Sequence, residues 1–203
     1  MRVVLSREIP TDQLAARSSP CKKGVRPLSC TTFARVSKPL RDVVGPGLKV
    51  LFCGINPSLM SYERGHHFAR PGNRFWPALH GSGWTPRLMS PDEDAELPKL
   101  GIGITNVVDR PTRAAAELSD DELREGAAAL AQLVERLQPG VVAIVGLGAY
   151  RVGFGKPDAT VGPQDESIGG RPAWVLPNPS GLNAHYQLPD LIREFAALRS
   201  AHA

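Results

Sequence analysis

Val141-Val142-Ala143-Ile144-Val145 is an unbroken apolar run, closed by Pro139-Gly140 on one side and Gly146-Leu147-Gly148 on the other. A run this short, without alternation, reads as a strand covered on both faces of a sheet. Upstream, Ser119-Asp120-Asp121-Glu122 forms a capping box. The helix it opens runs to about Leu137, with Leu123, Ala127, Leu130, Leu133, Val134 and Leu137 on one 3.6-period face. Pro139-Gly140 stops it. Further upstream, Ile102 to Val108 is strand-like, and Asn73 to Gly81 reads as a short helix carrying Phe75, Trp76 and Leu79. Leu48 to Cys53 reads as a buried strand ending at Gly54. Downstream, Ala173 to Leu176 is another strand, and a last helix spans about Leu188 to Leu198. Strands alternating with helices imply an α/β fold: three αβα layers around a central, mostly parallel twisted sheet. Gly146-Leu147-Gly148 lacks a full GxGxxG pattern, so it reads as a tight strand-to-helix turn, not a dinucleotide loop.

The 203 residues suit one domain with a sizeable core. With 42% hydrophobic and 22% charged residues, the chain has the composition of neither a disordered nor a membrane protein. No apolar run approaches the ~18 residues of a membrane span. Val3-Val4-Leu5 passes at once into Ser6-Arg7-Glu8, which is no signal peptide. An intracellular protein, cytoplasmic or nucleoid-associated, is expected. The three cysteines, Cys21, Cys30 and Cys53, fit reduced thiols and are too few for an iron–sulfur cluster. Neither metal nor cofactor is expected. Adjacent His66 and His67 are poorly placed to chelate one ion and read as a phosphate contact or a solvated loop. Net charge +4 is a mild bias toward polyanions. Residues 1–46 hold nine Lys or Arg against three acids. They read either as a mobile extension or as a basic arm on a phosphate backbone. The domain proper is expected over residues 47–203.

In a parallel sheet, ligands bind beyond the carboxyl ends of the strands. The loops after Cys53, Val108, Val145 and Leu176 therefore matter most. The first is Gly54-Ile55-Asn56-Pro57-Ser58, and the last is Pro177-Asn178-Pro179-Ser180-Gly181-Leu182-Asn183-Ala184-His185. Each alone is composed of ordinary turn residues. Together, Gly54-Ile55-Asn56-Pro57 and Asn178-Pro179-Ser180-Gly181-Leu182 resemble the two signature motifs of the mismatch-specific uracil-DNA glycosylases, relatives of the thymine-DNA glycosylases. Phe68-Ala69-Arg70-Pro71-Gly72-Asn73-Arg74-Phe75-Trp76 and Gly103-Ile104-Thr105-Asn106-Val107-Val108-Asp109-Arg110-Pro111-Thr112 match as well, in the family's order. The resemblance runs from about Gly47 to Leu198.

What the resemblance implies is a monofunctional enzyme, metal-free and monomeric. It flips uracil out of double-stranded DNA, notably from G:U mismatches, and hydrolyses its N-glycosidic bond to leave an abasic site. Asn56 matches the asparagine that positions water; an amide orients the nucleophile but is a poor base. Asp109, at the end of a strand, is a second catalytic candidate, able to accept a proton or stabilise the cationic sugar, or else a structural cap. Phe68 matches the aromatic that stacks on the base. The Ile55 amide is expected to bond the uracil edge, with Asn178 facing the pocket, and Ser61 and Asn106 near the C5 edge. Ser180, Gly181, Leu182, Asn183 and His185 match the DNA wedge, with Leu182 as the plug. Two departures bear on specificity. Ser58 replaces a glycine found in some relatives, and Ala184-His185 stands where an arginine is usual. They keep open a different main lesion for the same fold: ethenocytosine, a 5-substituted uracil, thymine or a deaminated purine. A non-catalytic lesion-sensing module is the remaining alternative.

Overall fold

The computed structural model describes residues 40–202. Cys21, Cys30 and most of the basic stretch lie outside the described residues. In chain order the elements are β1 (Val50–Gly54), α1 (Leu59–Arg64), α2 (Phe75–Gly81), β2 (Ile102–Asn106), α3 (Asp120–Leu137), β3 (Val141–Val145), α4 (Leu147–Gly153), β4 (Gly162–Ile168), β5 (Arg171–Leu176) and α5 (Leu188–His202). A 3-10 segment, Pro91–Leu100, leads into β2.

The five strands form one sheet in the order β2-β1-β3-β5-β4. β1 pairs in parallel with β2 and β3, and β3 in parallel with β5. Only β4 runs antiparallel, on the edge beside β5. Because side chains alternate along a strand, each central strand feeds two cores. Val50, Phe52, Val141, Ala143 and Val145 face one core with α2 and α5 residues such as Phe75, Leu79, Leu191 and Phe195. Leu51, Cys53, Val142 and Ile144 face the other with Leu123, Leu130 and Val134 of α3 and Tyr150 of α4. This two-sided burial is why β3 is apolar at every position. Phe52 anchors the first core: its ring lies 5.5 Å from both Phe75 and Phe195 and 5.7 Å from Trp84.

α3 begins as its sequence requires. Ser119 Oγ accepts from the Glu122 amide at 3.2 Å, and a Glu122 carboxylate oxygen accepts from the Ser119 amide at 2.8 Å. α5 continues past Leu198 to His202. The chain engages the sheet before Gly47. Leu40 is buried, and Val43 exchanges two backbone hydrogen bonds with Ile104, at 2.9 and 2.8 Å.

β1 is the turning point of the topology. Its chain leaves toward the α2 face, whereas the chain leaving β3 enters α4 on the opposite face. Neighbouring strands whose following segments diverge leave a crevice at their carboxyl ends.

Candidate active site

A cavity of about 600 Å³ opens in that crevice. Ile55, Asn56 and Pro57 after β1 line it, with Asn106 at the end of β2, Leu147 and Gly148 after β3, and Asn178 after β5. The loops singled out in the sequence therefore converge on one space.

Asn56 is held there by the loop after β2. Its amide nitrogen donates to the Arg110 carbonyl at 2.8 Å and to Thr112 Oγ1 at 2.7 Å. That loop is itself pinned to the first: the Leu59 amide donates to the Thr112 carbonyl and the Thr112 amide to the Pro57 carbonyl. With both N–H groups used, Oδ1 is the side-chain acceptor left on this cavity-lining residue.

Phe68 lines the same cavity in the left-handed backbone region, φ 54°, where a bulky side chain is strained. Its ring stacks on Phe75, centroids 4.0 Å apart and planes 15° from parallel. One ring face is thus occupied by protein, which leaves the other for a planar ligand. Gly54 allows this arrangement. A Cβ there would lie 2.5 Å from Asn106 Oδ1 and 3.2 Å from the Phe68 ring.

Asn106 is oriented from behind by His67, which is 1% exposed. His67 Nε2 lies 2.9 Å from the Arg41 carbonyl, an acceptor, so Nε2 carries the proton. Nδ1 then accepts from the Asn106 amide at 3.5 Å. Burial lowers the His67 pKa, against the smaller raising effects of the Arg41 carbonyl, Asp94 and Asp42, and keeps the ring neutral. The expectation of a solvated or phosphate-bound histidine pair therefore fails. His67 is core, and His66 faces Asp94 at 3.2 Å.

Ser58 Oγ accepts from the Ser61 amide at 3.1 Å and donates to Ser61 Oγ at 3.0 Å. Ser61 Oγ in turn accepts from the Ala69 amide at 3.1 Å. The Ser58 hydroxyl thus steadies the segment that carries Phe68.

The last loop forms the rim. Ser180, Leu182, Asn183 and His185 all border the cavity. Leu182 is 76% exposed, the most exposed large apolar side chain among the described residues. Gly181 stands just off the cavity wall, packed so close to Gly72 that a Cβ would lie 2.7 Å from its carbonyl oxygen.

Asp109 is not brought to the cavity. Val107 and Val108 continue the pairing of β2 by donating to the Gly54 and Ile55 carbonyls, and both pack in the α3-side core. Past them the chain turns so that the Arg110 carbonyl and Thr112 meet Asn56, while the Asp109 side chain is exposed and outside the cavity wall. Nor does Arg110 neutralise it: that guanidinium binds Glu122 at 2.6 Å. Its negative charge is felt at Cys53, whose thiol pKa is pushed up chiefly by burial, then by Asp42 and Asp109. Arg74 and Thr112 stand within the matched motifs, where their residue types alone signal no role. Their contacts are to chain segments remote in sequence, which no local pattern reports.

A sequence profile of the Uracil DNA glycosylase superfamily matches residues 42–199. The chain belongs to this superfamily. The fold agrees with the solution NMR structure of a protein from Methanosarcina acetivorans described as a putative uracil DNA glycosylase. The TM-score is 0.55 at 18% identity, over 81% of this chain and 97% of that one. Within the superfamily domain, the described residues include no cluster of three or more His, Cys, Asp or Glu placed to hold a metal ion. No helix among them is long and apolar enough to cross a membrane.

Proposed function

We propose that the protein is a monofunctional, mismatch-directed uracil-DNA glycosylase. It flips uracil from double-stranded DNA into the cavity, releases the base by hydrolysis and leaves an abasic site. The observation that carries this reading is the convergence of three devices on one crevice: an asparagine carbonyl oxygen left as an acceptor, an aromatic ring stacked on one face only, and an exposed leucine on the rim.

The chemistry follows from these parts. The base stacks on the outer face of Phe68, a contact that gives affinity without much selectivity. The Ile55 amide meets the polar edge of the base, Asn178 completes the wall, and Asn106, its orientation set by neutral His67, lies near the C5 edge. The sugar departs through an oxocarbenium-like state, and water held by Asn56 Oδ1 adds to the anomeric carbon. The water's proton passes to solvent or to the departing base anion, because an amide cannot keep it. Without a strong base the step is slow. Asp109, outside the cavity, contributes at most through its field on the cationic sugar. Leu182 fills the gap left in the base stack.

Ser58 and the Ala184-His185 pair favour a second reading of the same site, in which another lesion is the better substrate. Ser58 tightens the segment beneath Phe68, and His185 puts a weaker donor on the rim than an arginine would. A panel of duplexes carrying one uracil, thymine, ethenocytosine, 5-substituted uracil or hypoxanthine opposite guanine, scored by alkaline cleavage, tests both. Uracil processed fastest supports the first reading. A faster ethenocytosine or hypoxanthine duplex replaces it with the second. No cleavage anywhere overturns both and leaves a non-catalytic module.

A further inference from the structure

Among the described residues, one side chain from another element makes the hydrogen bonds that hold the rim loop carrying Leu182. Arg74, at the start of α2, reaches across with both terminal nitrogens. Nη1 donates to the Tyr186 carbonyl at 2.8 Å and to Gln187 Oε1 at 3.3 Å. Nη2 donates to the Asn183 carbonyl at 3.0 Å and to the Ser180 carbonyl. The Arg74 main-chain amide adds a bond to the Pro179 carbonyl at 2.9 Å. Five acceptors from Pro179 to Gln187 thus converge on one residue. Arg74 Nε is buried without a partner, so the guanidinium is spent on this loop alone.

The loop's own bonds are short-range: Asn178 Oδ1 accepts from the Ser180 amide, and the Asn183 amide nitrogen donates to the Asn178 carbonyl. They shape the turn but do not tie it to the domain. Arg74 does, and Gly181 seated on Gly72 completes the seam.

We infer that Arg74 is a positioning residue for duplex opening: its fork fixes the Leu182 loop in the exposed pose before DNA arrives. This rests on the wedge role given to Leu182 in the proposed function. A wedge that is already ordered does not lose conformational freedom when it enters the stack. A lysine cannot replace the fork, because its single ammonium cannot span carbonyls on both sides of the loop.

The test compares wild type, Arg74→Lys, Leu182→Ala and the double variant on uracil in a G:U duplex and in a single-stranded oligonucleotide. Thermal unfolding is recorded alongside. Single-stranded substrate needs no wedge. Arg74→Lys is expected to lower kcat/KM on the duplex by about tenfold or more, with single-stranded turnover nearly unchanged. The double variant should be no worse than Leu182→Ala alone, since both act through one side chain. Equal loss on both substrates, or losses that multiply in the double variant, would overturn the inference and leave Arg74 as plain scaffold. A second readout needs no turnover. A duplex with 2-aminopurine beside the mismatch should brighten on binding wild type and stay dark with Arg74→Lys. If wild type releases no base yet brightens the probe while the variant does not, the glycosylase reading fails and the wedge clamp stands. If neither protein brightens it, or both do equally, the clamp is overturned.

Discussion

With both amide hydrogens of Asn56 bound by Arg110 and Thr112, the direction of its carbonyl oxygen is a property of two other residues. Thr112→Ala removes one bond and lets the amide swing. Steady-state kinetics on a uracil duplex should show kcat lowered by about tenfold with KM little changed, because only water placement is disturbed. A change confined to KM would assign Thr112 to substrate binding instead. His67 gives a second prediction. Its folded pKa lies below the ordinary 6.5 because burial disfavours the charged ring. The unfolded chain therefore binds the extra proton first. The contribution is fully favourable above about 6.5 and is lost as pH falls through that value toward the folded pKa. In wild type the unfolding temperature should drop between pH 7.5 and pH 5.5, and in His67→Gln this part of the slope should flatten. An unchanged slope would show that His67 does not titrate with unfolding.

Among the elements, the start of α3 links helix stability to the site. Glu122 serves the capping box and also binds Arg110, whose carbonyl holds Asn56. The bond from Arg110, followed by the Ser119 backbone bond, lowers its carboxyl pKa from 4.5 to about 2. A lowered carboxyl stabilises the fold above its unfolded pKa and loses that effect as pH falls from about 4.5 toward 2. Glu122→Gln should reduce thermal stability at pH 7 and converge with wild type near pH 2, as followed by circular dichroism. A constant gap at every pH would mean that packing, not charge, is lost. The same region shows what a sequence makes legible. α3 and β3 are evident because their burial patterns are complete within the segment: one apolar stripe with a cap, and one run buried on both faces. β4 has no such signature. Gly-Pro-Gln-Asp-Glu-Ser-Ile is buried only at its ends, being an edge strand that tolerates Pro163. The 3-10 segment and the six-residue α1 likewise carry too few repeats to show a period.

At the scale of the whole molecule, the strand order brings loops more than 100 residues apart in sequence to one crevice. The two signature loops and Phe68 were readable from motifs. The exposed position of Asp109, the burial of His67 and the grip of Arg74 were not, since each depends on how remote segments meet. Arg70 and Arg113 stand exposed at the cavity mouth, without an ion pair among the described residues. On DNA they are placed to meet phosphates. Replacing either with Ala should weaken duplex binding and lower the slope of log affinity against log salt by roughly 1. An unchanged slope would remove that arginine from the interface. Hydrolysis organised by Asn56 can be measured as single-turnover base release from a G:U duplex in EDTA, with wild type, Asn56→Ala and Asp109→Ala run together. The expected result is release by wild type, a loss of about 100-fold or more in Asn56→Ala, and only a few-fold loss in Asp109→Ala. Full activity in Asn56→Ala, or collapse confined to Asp109→Ala, would contradict it.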